Sequence, residues 1–176
     1  RGPVEKVGDN GKTDIIPLRC APMRPGRSPM KSLRIRVRSA RPADLEELME
    51  LEQRIFATDR LSRPSLRRLL SSASATVIVA EIGGRLAGAA VVLFRTRSTV
   101  ARLYSIGVAP QMTGQGVAPA LLAAAERAAM ARKCRCMRLE VHVTNAAAIS
   151  RYGKSGYRQF GRRAAYYEDG GDALQF

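Results

Sequence analysis

Ser105–Leu122 reads SIGVAPQMTGQGVAPALL, with three glycines and two prolines set between an apolar run and an alanine-leucine run. An apolar strand that gives way to a glycine turn and then to a helix is a common way to present backbone N–H groups to an anion, because the first turn of a helix leaves its amides unpaired. Gly107, Gly114 and Gly116 lack the G-x-G-x-x-G spacing of a dinucleotide fingerprint. The Gly-Lys-Ser/Thr ending of a nucleotide-hydrolase phosphate loop is missing as well. What remains is a loop suited to some other phosphate-bearing ligand.

The rest of the chain sets that loop in an α+β pattern. Leu33, Ile35 and Val37 alternate with arginines as a first strand. Helical spacing follows from Leu45 to Phe56, and Ser62 opens a second helix through Leu70. TVIVAEIGGRLAGAAVVLF reads as two strands joined by a Gly83-Gly84 turn, and Val100–Val108 as a third strand before the loop. Ala120–Arg132 is rich in helix formers. MRLEVHV then places Met137, Leu139, Val141 and Val143 on one strand face, with Arg138, Glu140 and His142 on the other. Asn145 can cap a helix to Lys154, and short strands are expected near Tyr157–Gly161 and Asp172–Phe176. The expected order is β-α-α-β-β-β-α-β-α-β-β.

A chain of 176 residues with 45% hydrophobic residues has the size of one domain. Residues 1–29 carry five prolines, four glycines and no sustained apolar period. They are expected to form a disordered basic extension ahead of a domain over 30–176. The formal charge of +15 favours an anionic ligand. The arginines are dispersed and not interleaved with aromatics, which argues against nucleic acid as the direct substrate. Cys20, Cys134 and Cys136 lack metal or disulfide spacing, so no metal site is expected. No apolar run is long enough to span a membrane, and free thiols suit a reducing compartment, so the expected location is cytoplasmic.

These residues, over Leu33–Phe176, resemble the GNAT superfamily of acetyl-coenzyme A dependent N-acetyltransferases. The family's loop is Arg/Gln-x-x-Gly-x-Gly/Ala between Val-x-Pro and a Leu-Leu pair. Gln111-x-x-Gly114-x-Gly116 matches it by letters, whereas Thr113-x-x-Gly116-x-Ala118 keeps the distances from Val108-x-Pro110 and to Leu121-Leu122. The second register is preferred, with Thr113 in place of Arg or Gln. The resemblance implies that acetyl-CoA is held by Ile106, Gly107 and Val108 and by Thr113, Gly114, Gln115, Gly116, Val117 and Ala118.

Downstream, RLEVHVTNAAAISRYGKSGY is similar to the Leu-Glu-Val-Arg-x-x-Asn-x-x-Ala-Ile-x-x-Tyr-x-x-x-Gly-Phe/Tyr segment of ribosomal-protein-alanine N-acetyltransferases of the RimI type. That likeness implies Glu140 as general base, Tyr152 as general acid and Asn145 as a contact of the pantetheine arm. His142 replaces the usual Arg. Phe56 and the Tyr166-Tyr167 pair are the implied acceptor contacts. The family's Pro-Trp after the phenylalanine is absent, and DRLS in its place looks more like RimI-type domains found with cysteine-peptidase domains. The implied acceptor is the N-terminal α-amine of a protein or peptide. The alternatives are a lysine or small-molecule amine, or a CoA-binding module without turnover.

Overall fold

In a computed structural model the described residues are 34–56 and 59–176. The expected extension over 1–29 lies outside them. A seven-stranded mixed sheet runs through the molecule in the order β1-β2-β3-β4-β5-β7-β6. Along the chain come β1 (Arg36–Ser39), α1 (Leu45–Ile55), α2 (Arg63–Ser71), β2 (Ala75–Ile82), β3 (Arg85–Phe94) and β4 (Val100–Val108). They are followed by α3 (Val117–Ala131), β5 (Cys136–His142), α4 (Ala146–Lys154), β6 (Gly161–Arg163) and β7 (Ala173–Gln175).

Local chemistry sets these boundaries. Ser62 caps α2 by accepting the Ser65 amide, and Asn145 caps α4 by accepting that of Ala148 at 3.1 Å. Gly83 and Gly84 take φ of 60° and 79°, the pair of positive values that a two-residue hairpin turn between β2 and β3 needs. Three boundaries differ from expectation. The described part of the first strand begins at Arg36. Helix α3 starts at Val117, three residues ahead of Ala120, because Pro119 fits within a first turn whose amides need no partner. The strand expected near Tyr157–Gly161 lies instead at Gly161–Arg163, the last strand shortens to Ala173–Gln175, and Tyr166 and Tyr167 fall in the loop between them.

Two apolar cores sandwich the sheet. Leu48, Leu51 and Leu66 pack with Val77, Val79 and Val91 on the α1–α2 side. Leu121, Leu122 and Ala125 pack with Ile78, Val92, Leu103 and Leu139 on the α3–α4 side. Strand β2 is buried on both faces, which is why TVIVAEI is an almost unbroken apolar run.

One departure from a regular sheet creates the site. All neighbouring strands pair antiparallel except β4 and β5, which run parallel and pair only over Val100–Leu103 and Cys136–Leu139. Val91 pairs with Ser105 and Val92 with Leu103, so Tyr104 is an extra residue bulging from β4. A bulge bends its strand. Beyond it β4 stays with β3, while Glu140, Val141 and His142 of β5 pair with β7. The two strands part, and a groove opens between them.

Candidate active site

The groove has a volume of about 1130 Å³. Its first wall is β4. Ala109 donates to the Ala87 carbonyl at 2.8 Å, and antiparallel pairs alternate between bonded and non-bonded positions. The amides of Ser105, Gly107 and Ala109 therefore face β3, while those of Ile106 and Val108 face the gap that β5 vacates. Val108 rather than Gly107 is thus the amide available to a ligand. Gly107 serves a different need, since a β-carbon there would lie 2.8 Å from Ile55 Cγ2 and 3.1 Å from Phe56 Cζ. It lets the end of α1 close on the strand, which sets Phe56 against the groove.

The second wall is the loop read from the sequence. Gly114 and Gly116 adopt φ of 81° and 85°, and an added β-carbon on Gly114 meets nothing within 4 Å. Backbone conformation, not crowding, demands glycine at these two positions. Gly116 caps α3 with no side-chain acceptor. Among the described residues no acceptor takes the amides of residues 114–118. Several free amides at a helix N-terminus, beside a groove, fit a pyrophosphate. At Gln115 only the backbone N–H is left for an anion: the side-chain amide folds back onto the Gln111 carbonyl at 3.2 Å and does not line the groove.

The third wall carries the ionisable groups. Glu140 projects from β5 with its side chain 11% exposed, and its Oε2 accepts from Arg102 Nε at 2.9 Å. The sequence pointed to Arg138 and His142 as its charged neighbours, and the structure corrects this. Arg138 lies over the Phe160 ring at 5.9 Å, and His142 turns to Thr144 and Asp169. Tyr152, one face of α4 inward, packs its ring against Tyr157 and Phe176 at 5.7 and 6.2 Å. Burial pushes its phenol up to about 12. Its hydroxyl takes no protein partner among the described residues, and Tyr152 lines the groove.

The loop between β6 and β7 covers one end. Tyr166 receives a hydrogen bond from Arg102 NH2 at 2.5 Å, and Tyr167 packs on Tyr166 at 5.1 Å and on His142 at 4.9 Å. Burial, reinforced by the nearby Tyr166, Glu140 and Asp59, raises the Tyr167 phenol well above its ordinary range. Ile106, Gly107, Val108, Thr113, Gly114, Gly116, Val117, Ala118, Asn145, Phe56, Glu140, Tyr152, Tyr166 and Tyr167 all border one groove, beside the Gln115 backbone. Arg102 was not singled out in the sequence. It belongs to no motif, and only its place on the same strand face as the groove, beside Glu140 in space, marks it.

Among the described residues no cluster of His, Cys, Asp and Glu is arranged to hold a metal ion, and no helix is long and apolar enough to cross a membrane.

Comparison with known proteins agrees with this architecture. The acetyltransferase (GNAT) family model matches residues 45–157. The chain is 30% identical over 139 residues to the Bacillus subtilis (strain 168) protein named "Putative (ribosomal protein bS18)-alanine N-acetyltransferase", covering 78% of this chain and 91% of that one. The crystal structure of the Escherichia coli ribosomal-protein-S18-alanine N-acetyltransferase superposes with a TM-score of 0.73 at 27% identity, over 81% of this chain and 91% of that one. The PaiA N-acetyltransferase of Thermoplasma acidophilum, solved in complex with coenzyme A, shares the fold at a TM-score of 0.66 and 20% identity, over 81% and 98% of the two chains. A parted β4–β5 pair, a left-handed glycine loop and a family match across most of the described residues lead to one assignment: the chain belongs to the GNAT acetyltransferase family and is an acetyl-CoA-dependent N-acetyltransferase.

Proposed function

We propose that the protein acetylates the N-terminal α-amine of a protein or peptide. The observation that carries this is that Val108, Glu140 and Tyr152 line one groove together with Tyr166 and Tyr167. Acetyl-CoA supplies an activated acetyl thioester. The loop amides of residues 114–118 hold its pyrophosphate and Asn145, once its Oδ1 has capped α4, retains an amide donor for the pantetheine arm. Val108 N–H lies where it can polarise the carbonyl oxygen as negative charge builds on it.

The acceptor amine must be neutral to attack. An α-amine, with a pKa of about 7.7–8.0, is far more often neutral near pH 7.5 than a lysine at about 10.4. Glu140 presents Oε1, which no described residue bonds, to take the proton the amine sheds on forming the amide. The departing sulfur needs stabilisation at the same moment. A phenol near 12 stays protonated throughout the working range, so Tyr152 is always ready as a donor. Full transfer from it to a thiolate whose acid has a pKa of about 8.5 is uphill. Tyr152 therefore acts by hydrogen bonding to the leaving sulfur, and the proton that finally neutralises the thiolate is the one released by the amine.

Acidic residues that line the groove, namely Asp59, Glu140, Glu168 and Asp169, favour a second reading in which a polyamine or lysine enters. None of the four is free. Glu140 pairs with Arg102, Glu168 accepts the Asp59 amide at 3.2 Å, and Asp169 accepts the Gly171 amide at 2.9 Å. An aromatic slot with partnered acids suits one small amine at the end of a peptide better than a polycation. Mass spectrometry of a peptide library incubated with acetyl-CoA tests this: acetylation at α-amines supports the proposal, and modification of lysines or polyamines alone overturns it.

A further inference from the structure

The part of the site that no motif marked is Arg102. Its Nε donates to Glu140 Oε2 at 2.9 Å, and its NH2 donates to the Tyr166 hydroxyl at 2.5 Å. One guanidinium thus joins β4, the candidate base on β5 and the acceptor wall on the loop between β6 and β7. Within its own strand the guanidinium also lies over the Tyr104 ring, 5.5 Å from its centroid. Arg102 lies directly opposite Arg138 in the parallel register, and like charges in opposed positions destabilise a strand pair. The two separate: Arg138 turns to the Phe160 ring, while Arg102 turns toward Glu140 and Tyr166. Burial works against the Arg102 charge, yet Glu140 and Tyr166 outweigh it and raise the guanidinium above its ordinary value.

We infer that Arg102 is a positioning residue for acetyl transfer, fixing the Glu140 carboxylate and the Tyr166 wall in one geometry so that base and acceptor pocket are set together. This rests on the assignment of Glu140 as base. With Oε2 held by Arg102, only Oε1 faces the incoming amine, so the proton leaves along one direction. Tyr166, held by the second arm, fixes how far from Oε1 the acceptor backbone can sit. A lysine cannot replace this. Its single ammonium lacks the planar fork that reaches two partners in fixed directions.

Five variants separate the two arms, each read by steady-state kinetics with acetyl-CoA affinity from calorimetry as the control for folding. Tyr166→Phe removes only the wall arm, and its expected effect is an acceptor KM raised about tenfold with kcat within about threefold of the parent. Arg102→Lys, which keeps a charge near Glu140, is expected to behave in the same way. Arg102→Met loses both arms and is expected to raise KM similarly and to lower kcat by about 10- to 100-fold, the scale of a misplaced catalytic group. In a Glu140→Gln background Arg102→Met is expected to raise KM while costing no further kcat, because the carboxylate it orients is gone.

Loss of kcat by the same factor in both backgrounds, or an Arg102→Met enzyme with kcat and KM both within about twofold of the parent, overturns the inference. If Arg102→Met does not fold, the decision falls to Arg102→Lys, where an acceptor KM unchanged from the parent overturns it. A Glu140→Gln enzyme of normal activity would instead remove the assignment of the base, and the inference with it. A costly Glu140→Gln beside a silent Arg102→Met would remove the inference alone.

Discussion

Nε2 of His142 occupies the place that a β-carbon on Gly171 would take, so the loop between β6 and β7 closes on the imidazole at a distance only glycine permits. The ring is fixed from its other side as well. The Thr144 amide donates to Nδ1 at 3.2 Å, which makes Nδ1 the acceptor, while Nε2 is buried and has no hydrogen-bond partner among the described residues. Tyr167 stacks on this held imidazole. Position 142, where the family pattern has Arg, therefore supports the Tyr167 ring, which is proposed to wall the acceptor.

Gly171→Ala is expected to push the loop off His142 and to displace Tyr167 with it. Overpacking of this kind costs about 1–3 kcal/mol. The acceptor KM should rise about tenfold while acetyl-CoA affinity stays near that of the parent. Steady-state kinetics beside calorimetric titration with the cofactor would show it, and an equal loss on both substrates would mean that the loop serves the whole groove.

The phosphate end has its own test. Gly116 sits at φ 85° at the start of α3, a conformation that a β-branched residue rarely adopts. Gly116→Val is expected to turn the free amides away from the pyrophosphate and to weaken acetyl-CoA binding about tenfold or more, in a domain that still melts cooperatively. Unchanged affinity in that folded variant would place the anion elsewhere.

Much of this arrangement was legible in the sequence because local chemistry dictates it. Strand alternation at Met137–His142, the Gly83-Gly84 turn and the caps Ser62 and Asn145 each depend on a few adjacent residues. They placed helices, strands and Glu140 on the correct faces. The parting of β4 from β5 was not legible, since it arises from a one-residue bulge at Tyr104 and from β7, far along the chain, competing for the other edge of β5. Arg102 was hidden for the same reason, its two partners lying 38 and 64 residues away. Gln115 shows the opposite failure. A loop motif implied a ligand contact there, yet a nearby carbonyl at Gln111 claims the side chain and leaves only the backbone N–H for it.

Glu52 offers a stability test outside the chemistry. It is the buried charged residue of α1, its Oε2 accepts the Leu61 amide at 3.1 Å, and burial raises its carboxyl above the ordinary glutamate value. The folded state thus binds a proton more readily than the unfolded chain does, so stability is lost as pH rises from the unfolded value of 4.5 through the raised folded one. Glu52→Gln keeps an acceptor for Leu61 and removes the buried charge. Its melting temperature near pH 7.5 should exceed the parent's by about 2–4 °C, and the difference should shrink toward pH 4. A variant less stable than the parent at pH 7.5 would mean that Glu52 holds its partner as an anion.

Tyr152→Phe removes one hydroxyl and leaves the packing on Tyr157 and Phe176 intact. The expected outcome is kcat lowered on the order of 10²-fold with acetyl-CoA affinity close to normal. A more acidic leaving group should recover part of the loss, because an easily expelled thiolate needs less help. Normal turnover would reduce Tyr152 to a core residue.

The choice of acceptor is tested most directly by competition between two peptides of one sequence at pH 7.5. One carries a free α-amine and no lysine, the other a blocked N-terminus and one exposed lysine, and initial rates are read by mass spectrometry. The neutral fraction of an α-amine exceeds that of a lysine by about 10²-fold at that pH. The free α-amine peptide is therefore expected to react at least about tenfold faster, and Glu140→Gln to slow it severalfold. A blocked lysine peptide acetylated as fast or faster would contradict the account and assign the groove to side-chain amines.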